Sequence, residues 1–317
     1  MIPADFSKKI AAALAKNELL YKQGSSSAMG MVKQLQQEVR QALVMSKGFD
    51  TMHLTAIQKE LDAAVARLEK NFTKSLVSDN KKAWDLGAAG MQNGLKAALD
   101  VNLPALSDDL LIATQSFTAD LIKDLSRELI DKISAEIRTG IVRGENPYDT
   151  MERVEKNLFP TDGSGAFFRA ETIVRTENNR VFGMANQERL SQTAAVLPKL
   201  KKIWRDSGLP HERDSHAQAA EDYAPGGDPG PIPVDEPFIV GGFPVMFPGD
   251  PEGDAGEVIN CRCVSVPYME DWEKDAVQVV DTQEARVTEY GTAASGNRDH
   301  AGRPGEVGGS GPGEGGE

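Results

Sequence analysis

The feature that most constrains the fold is an apolar stripe in the segment after Pro104. Its apolar residues recur every four positions: Phe117, Leu121, Leu125, Leu129, Ile133, Ile137 and Ile141. Apolar residues at this spacing form one face of an amphipathic helix. Ser107 is placed to cap the helix at its start, and Gly140 and Gly144 supply a stop signal. The segment therefore predicts one long helix that is buried along one side.

Similar spacing extends over most of the first 200 residues. Two earlier stripes consist of Met31, Leu35, Val39 and Leu43, and of Leu54, Ile57, Leu61, Val65 and Leu68. We expect residues 24–27, Gly-Ser-Ser-Ser, to interrupt the first helical stretch, with Ser27 capping the next one. Further helices are predicted from Pro147, with Asn146 as its cap, and over residues 165–194. Together these patterns predict a helical bundle, with a coiled-coil partner surface as the alternative.

Short apolar runs between turn signals replace the helical spacing after Pro198. They lie at residues 201–205, 238–240, 243–247 and 258–266, with frequent Gly and Pro between them. Runs of this length are typical of short strands. The predicted fold class is α+β: a mostly helical N-terminal region, then a small loop-rich module with short antiparallel strands, then a disordered Gly-rich C-terminal tail.

These changes in pattern divide the chain into four parts. Residues 1–105 form an N-terminal helical region. Residues 106–267 form a second domain, which is helical to about residue 197 and a loop-rich α+β module afterwards. Residues 268–290 are an acidic extension. Residues 291–317 consist mostly of Gly, Pro, Glu and Ser with almost nothing to bury, so we expect this tail to be disordered.

Charge is distributed unevenly along the chain. The 35 Lys and Arg residues against 48 Asp and Glu residues give a net charge of −13. Residues 1–205 hold 29 basic and 25 acidic residues, a net of +4, and the other 6 basic and 23 acidic residues give −17. This balance excludes a protein that wraps DNA but allows one that lies beside it. The densest basic cluster, Lys199, Lys201, Lys202 and Arg205, is interpreted as a solvated face, with phosphate contact as the alternative.

Cysteine usage and hydropathy indicate a protein made in a reducing cytoplasm. Residues 1–9 lack the apolar core of a signal peptide, and no apolar run approaches the roughly 20 residues that span a bilayer. Cys261 and Cys263 are only two residues apart, which excludes a disulfide framework. We therefore expect no membrane partner.

Four side chains of the module form a candidate zinc site: His211, His216, Cys261 and Cys263. Imidazole and thiolate are the preferred ligands of zinc, and four of them complete a tetrahedron. If both cysteines lie on one strand, their sulfurs are too far apart for one ion, so a turn or bulge is needed there. Two alternatives stay open: half-buried thiols beside a polar loop that His216 hydrogen-bonds, or a strained disulfide after oxidation.

Candidate catalytic residues are sparse. Asp206, Asp214 and His216 could form an acid–base set, because a carboxylate beside a histidine raises its pKa. Arg175 and Glu177 lie two residues apart on a predicted helix, so each is expected to pair with another segment, with a catalytic Arg/Glu pair as the alternative. The chain contains no phosphate-binding loop and no nucleophile elbow. We therefore expect no catalytic residues, no small-molecule substrate and no cofactor beyond the candidate zinc ion.

Five short segments occur in an order that is typical of a known family. They are Arg175-Thr176-Glu177, Trp204-Arg205-Asp206, Arg213-Asp214-Ser215-His216, Phe247-Pro248-Gly249-Asp250-Pro251 and Glu257-Val258-Ile259-Asn260-Cys261-Arg262-Cys263. From Leu110 to Pro267 the chain resembles the head morphogenesis domain of tailed bacteriophages, the family of phage Mu protein F-like minor head proteins. The first hundred residues and the tail lie outside the resemblance.

The resemblance implies a virion protein that is present in few copies and associated with the portal protein and the inner capsid. It would act in head assembly and in DNA packaging or delivery. Such a protein is made in the host cytoplasm and ends inside the head, close to the packaged DNA. The residues that carry the resemblance, and are expected to be structural, are Arg175, Glu177, Trp204, Asp206, Arg213 and Asn260.

The chain departs from the family pattern near the candidate metal site. Related proteins often carry Cys-x-x-Cys where this chain has residues 213–216, and a Leu-Asp-Gly-like turn where it has residues 219–222. His211 would therefore have to supply the fourth ligand. Two other functions stay as hypotheses: a zinc-dependent hydrolase or effector carried on a head-type domain, and a packaging factor that contacts DNA through Lys201 and Lys202.

Overall fold

Five helices form the N-terminal part of the structure, a computed structural model that describes residues 4–46, 48–99, 103–160, 165–207 and 212–270. They are α1 (Ala4–Val44), α2 (Leu54–Leu99), α3 (Asp109–Val142), α4 (Pro147–Leu158) and α5 (Gly165–Val196). The predicted helical region is thereby confirmed. Within the described ranges, no helix is both long and apolar enough to cross a bilayer.

A small module of short strands follows the helices. Its elements are β1 (Lys201–Arg205), α6 (Asp214–Asp222), β2 (Ile232–Pro233), β3 (Phe238–Val240), β4 (Phe243–Val245), α7 (Ala255–Val258) and β5 (Val264–Tyr268). β1 lies between β2 and β5 in an antiparallel sheet, and β3 pairs with β4 in a hairpin. The α+β fold class is confirmed. The tail 291–317 and most of the acidic extension 268–290 lie outside the described residues.

All five helices share one hydrophobic core. Buried side chains come from α1 (Leu35), α2 (Leu61), α3 (Ile133), α4 (Val154) and α5 (Val174). The apolar stripes of α1 and α2 are therefore used within the molecule, as a bundle requires. Residues before 105 pack on the same core as α3 to α5.

The sheet is attached to the bundle through α5. Val264 and Val266 of β5 pack with Val181 of α5 in a second apolar cluster. Asn186 adds a polar contact, since its side-chain amide donates to the Ser265 carbonyl at 2.8 Å. As a result, α5 is both a helix of the bundle and a contact surface for the module.

The apolar stripe of α3 is buried over only part of its length. Leu125, Leu129, Ile133 and Ile137 are buried, but Phe117 is 46% exposed. The prediction was wrong for Phe117 because four residues turn a helix by about 40° more than a full turn, so a strict four-residue stripe winds around the axis. In the first half of the helix the buried positions are Leu111, Thr114, Thr118 and Ile122.

Of the predicted start and stop signals around α3 and α4, Gly144 and Asn146 agree with the structure, whereas Gly140 lies inside α3. Gly144, with φ of 66°, lies just beyond the end of α3. The Asn146 side chain caps α4 by accepting from two backbone N–H groups of its first turn, at 2.9 and 3.0 Å. The cap position of α3 is Asp108 rather than Ser107, although the Ser107 hydroxyl accepts from the first helical N–H at 3.2 Å.

Helix α1 runs without interruption through residues 24–27, where a break was predicted. Gly24 is instead a packing position: a β carbon here would lie 2.9 Å from Val174 of α5 and 3.1 Å from Asp79 of α2. In α2, a β carbon on Gly87 would overlap the carbonyl oxygen of Phe182. The prediction of a break was wrong because close helix packing, rather than chain reversal, requires the small residue.

We expect Gly87→Ala to lower the free energy of unfolding by about 1–3 kcal/mol, because the added carbon meets rigid backbone of α5. Gly30→Ala is the matched control: Gly30 lies exposed in α1 with nothing within 4 Å of an added β carbon. For Gly30→Ala we expect the free energy of unfolding to rise by roughly 0.5–1 kcal/mol, because alanine has the higher helix propensity. Urea unfolding followed by circular dichroism measures both, and effects of the same sign would contradict the packing role of Gly87.

Candidate metal centre

His216 and the two cysteines are brought together by α6 and by the turn that precedes β5. His216 lies early in α6, and its side chain is fully buried. The Trp204 ring of β1 packs edge-on against the imidazole with 5.6 Å between ring centroids, and it also contacts Phe238 at 5.3 Å. These rings form an apolar wall beside the imidazole.

The turn at residues 260–263 replaces part of the strand predicted over 258–266. β5 begins only at Val264, and Asn260 has a left-handed backbone with φ of 60°. The Asn260 N–H donates to the Thr176 hydroxyl at 3.0 Å, and its side-chain oxygen accepts from Arg175 at 3.3 Å. The strand prediction was wrong here because α5 holds Asn260 in a conformation that asparagine tolerates. The turn that two cysteines on one ion need is therefore present.

The three side chains form a buried cluster. His216 Nδ1, Cys261 Sγ and Cys263 Sγ all lie within 4.8 Å of one another. Nδ1 is 3.2 Å from the Cys263 sulfur and 3.9 Å from the Cys261 sulfur. One imidazole and two thiols at these distances could hold a metal ion. The fourth predicted ligand, His211, lies outside the described residues.

Glu212 contacts the same side of the cluster, and the sequence analysis did not single it out. Its Oε1 lies 3.5 Å from His216 Nδ1 and accepts from the Cys263 thiol at 3.4 Å. Its Oε2 accepts from the Ser207 hydroxyl and from the Ser207 N–H at 3.2 Å. One carboxylate oxygen therefore accepts hydrogen bonds from the loop that follows β1, and the other oxygen contacts the cluster.

Glu257 lies on the opposite side of the imidazole, and its role was also missed. Its Oε2 is 3.0 Å from His216 Nε2 and accepts from the Ser215 hydroxyl at 2.7 Å. Among the described residues Nε2 has no well-aligned hydrogen-bond partner, so the two groups form a close ion-pair contact rather than a directed hydrogen bond. Glu257 thus places a negative charge beside the ring nitrogen that faces away from the thiols.

The protonation of the cluster follows from burial and from these contacts. Burial lowers the pKa of His216, but hydrogen bonds with Cys261 and Glu212 outweigh it and raise the pKa to about 9. Burial raises the pKa of Glu212, but bonds from His216, Ser207 and Cys263 lower it to about 2. The hydrogen bond from Cys263 lowers the pKa of Cys261 to about 6, and the same bond raises the pKa of Cys263. A metal ion that binds here must displace protons from His216 and Cys263.

Arg175 joins three parts of the molecule. Besides Asn260, it donates to the Tyr21 hydroxyl of α1 at 2.8 Å and to Glu171 at 2.7 Å. The Tyr21 ring lies between two guanidinium groups, with Arg175 at 5.0 Å and Arg262 at 5.1 Å from its centre. The expectation that Arg175 pairs with another segment agrees with these contacts. Tyr21 lies outside the family resemblance, so the motifs gave no signal for it.

Glu177 makes its contacts inside the bundle. It is buried, pairs with Arg180 at 2.7 Å and accepts from the Thr118 hydroxyl of α3 at 3.1 Å. Burial raises the pKa of Glu177, although Arg180 and Thr118 act to lower it. Arg180 in turn donates to the Gly249 carbonyl at 3.3 Å. Glu177 therefore orients an arginine that reaches the module.

Three further predicted residues lie beside the elements that carry the cluster. Arg213 is the cap residue of α6 and donates to the Ile259 carbonyl. Asp206 follows β1 and is half-buried, and Asp214 is exposed at the start of α6. His216 contacts the carboxylates of Glu212 and Glu257, neither of which belongs to the predicted acid–base set.

The basic cluster after Pro198 is only partly a surface feature. Lys202 is fully buried, and its Nζ donates to the Met246 carbonyl at 2.7 Å and lies 4.8 Å from the centre of the Phe238 ring. Burial lowers the pKa of Lys202 to about 8. The predicted solvated face was wrong for Lys202, and so was the alternative of a DNA contact through it. Strand alternation in β1 turns this side chain inward.

Comparison with known proteins finds a distant relative that matches over about three quarters of its length. No family model and no solved structure matches the chain. The chain is similar to an uncharacterized protein of Bacillus subtilis strain 168, YqbB, with 24% identity over 256 residues. The match covers 76% of this chain and 77% of that protein, so the likeness extends beyond the candidate site.

We expect Asn260→Ala to lower the free energy of unfolding by about 1–3 kcal/mol, because it removes the bond to Arg175 and places an alanine in a left-handed conformation. Asn260→Gly is the matched variant, since it removes the same side chain but tolerates the backbone. Asn260→Gly should therefore lower the free energy of unfolding clearly less than Asn260→Ala does. Chemical denaturation of both variants measures the difference, and an equal loss would show that the backbone of Asn260 is unstrained.

Proposed function

We propose that this chain is a minor head protein of a tailed phage, associated with the portal protein and acting in head assembly and in DNA packaging or delivery. One observation carries the proposal: the segments that give the family resemblance, which are spread over residues 175–263, contact one another. Arg175 bonds Asn260, Trp204 packs against His216, and the turn at residues 247–251 accepts from α5. Segments that define a domain family must lie together in the folded chain, and these contacts meet that requirement.

The contacts within this unit are of a structural kind. Arg180 donates to the Gly249 carbonyl, Asn179 to the Cys263 carbonyl and Arg213 to the Ile259 carbonyl. Side chains that satisfy main-chain oxygens of other segments hold a fold in place. This use of the motif residues favours a structural and interaction protein over an enzyme.

Within this unit we infer that the metal is zinc. The cluster offers nitrogen and sulfur, which zinc prefers, whereas magnesium and calcium prefer oxygen. His216 comes from α6, and Cys261 and Cys263 come from the turn before β5, so one ion would join two separate segments. Such an ion contributes folding free energy directly.

The helical bundle supplies the surface for the portal protein or the inner capsid in this proposal. Residues 1–205 have a net charge of +4, while the rest of the chain has −17. An acidic C-terminal part is repelled by DNA phosphates. The protein would thus be made in the host cytoplasm and lie inside the head beside the packaged DNA without wrapping it.

We expect the purified chain to cosediment with the portal protein encoded beside it, and to be detected in purified phage particles by mass spectrometry. An unrelated acidic helical protein of similar size serves as the control for nonspecific sedimentation. Failure to bind the portal, together with absence from particles, would sink the proposed function.

We expect protein purified without chelator to hold about one zinc ion per chain, and Cys261→Ser or Cys263→Ser to abolish the binding. Removing the ion should lower the melting temperature, because the metal binds the folded state and not the unfolded one. Elemental analysis and thermal unfolding measure these effects. Wild-type protein without zinc would contradict the metal assignment and leave the portal experiment unaffected.

A further inference from the structure

We propose that Glu212, rather than His211, supplies the fourth ligand of a closed tetrahedral site with His216, Cys261 and Cys263. This inference rests on the zinc ion of the proposed function. It adds a carboxylate ligand and a specific ring nitrogen of His216, Nδ1. It also assigns a supporting role to Glu257, which the sequence analysis did not connect with the site.

The distances around Nδ1 fit one tetrahedral ion. Zinc bonds of about 2.3 Å to sulfur and about 2.0 Å to nitrogen and oxygen place ligand atoms roughly 3.3 to 3.8 Å apart. His216 Nδ1 lies 3.2 Å from the Cys263 sulfur, 3.9 Å from the Cys261 sulfur and 3.5 Å from Glu212 Oε1. Oε1 lies 3.4 Å from the Cys263 sulfur. The compact group within 4.8 Å consists of His216, Cys261 and Cys263, so a closed four-ligand site requires Oε1 to come nearer to the Cys261 sulfur.

The Glu212 carboxylate is already oriented for this role. Ser207 holds Oε2 through its hydroxyl and its backbone N–H, which leaves Oε1 for the cluster. Glu212 lies two residues before the start of α6 and four before His216, so one short stretch of chain brings both side chains to the cluster. A ligand carboxylate that is itself hydrogen-bonded in this way is typical of metal sites.

Glu257 is a positioning residue for the imidazole. It faces Nε2 at 3.0 Å, while Ser215 donates to the same carboxylate oxygen. A carboxylate on one ring nitrogen keeps the proton there and leaves the other nitrogen free for metal. The backbone of Gly241 approaches Glu257 so closely that a β carbon at this position would overlap its carboxylate. The β3–β4 hairpin thereby confines Glu257 next to the ring.

The placement of charge also favours Glu212. Two thiolates and one carboxylate around a divalent ion leave one excess negative charge, which is costly to bury. His216, Cys261 and Cys263 are almost completely buried, while the Glu212 side chain is 15% exposed. The carboxylate therefore lies at the edge of the site that water can reach. With all four positions occupied by protein, the ion has no open position for a reacting water, which agrees with a structural role.

The test is the zinc affinity of the full-length chain, measured by competition with a chromophoric chelator. We expect Glu212→Gln to weaken zinc binding by at least the roughly 10- to 100-fold that loss of an outer-shell partner costs. Asp214→Asn removes the same charge two residues away on an exposed side chain and should bind zinc like the wild type. His211→Gln should also bind like the wild type. Glu257→Gln should weaken binding less than Glu212→Gln does.

X-ray absorption of the zinc-loaded wild-type chain tests the same ligand set without any substitution. We expect two sulfur ligands, one imidazole and one carboxylate oxygen. Two imidazoles around the ion would overturn the inference, as would a loss of affinity in His211→Gln with normal affinity in Glu212→Gln. Loss of zinc in the cysteine variants with normal binding by Glu212→Gln would reject Glu212 alone and leave the zinc of the proposed function in place.

Discussion

The Arg175 guanidinium and the Thr176 hydroxyl both bond Asn260, and the chain turns at this residue between α7 and β5. The left-handed backbone of Asn260 then directs Cys261 and Cys263 toward His216. A regular strand over these residues would keep the two sulfurs too far apart for one ion. The contact between α5 and this turn thus fixes the docking of the module and the geometry of the candidate site together.

Helix α5 can make this contact because it is enclosed on two sides. Its buried polar side chains include Glu177, Asn178, Arg180, Asn186, Gln187 and Arg189. Several of them bond groups of other segments, as Asn186 does with the Ser265 carbonyl and Arg189 with the Pro104 carbonyl. Buried polar groups are costly unless they are paired, so these bonds favour one arrangement of bundle and module over others. The same burial explains why α5 lacks the clear apolar stripe of α3.

The sequence predicted part of the candidate site because some residue types carry their chemistry with them. Histidine and cysteine are scarce, so His216, Cys261 and Cys263 could be grouped by type alone. Carboxylates are abundant, with 48 in the chain, and no local signal separates Glu212 and Glu257 from the rest. Their roles depend on which atoms meet after folding, as does the burial of Lys202 within a cluster that is basic in sequence.

By itself the sequence determined the change from long helices to short strands after Pro198, because the period of apolar residues follows from the geometry of a single element. It also determined the stop at Gly144 and the cap at Asn146, which are local. Only the tertiary structure decided that Gly24 and Gly87 are contact points between helices and that Asn260 bends the chain. These features depend on the approach of segments far apart in sequence, and close packing sets that approach to within a few tenths of an ångström.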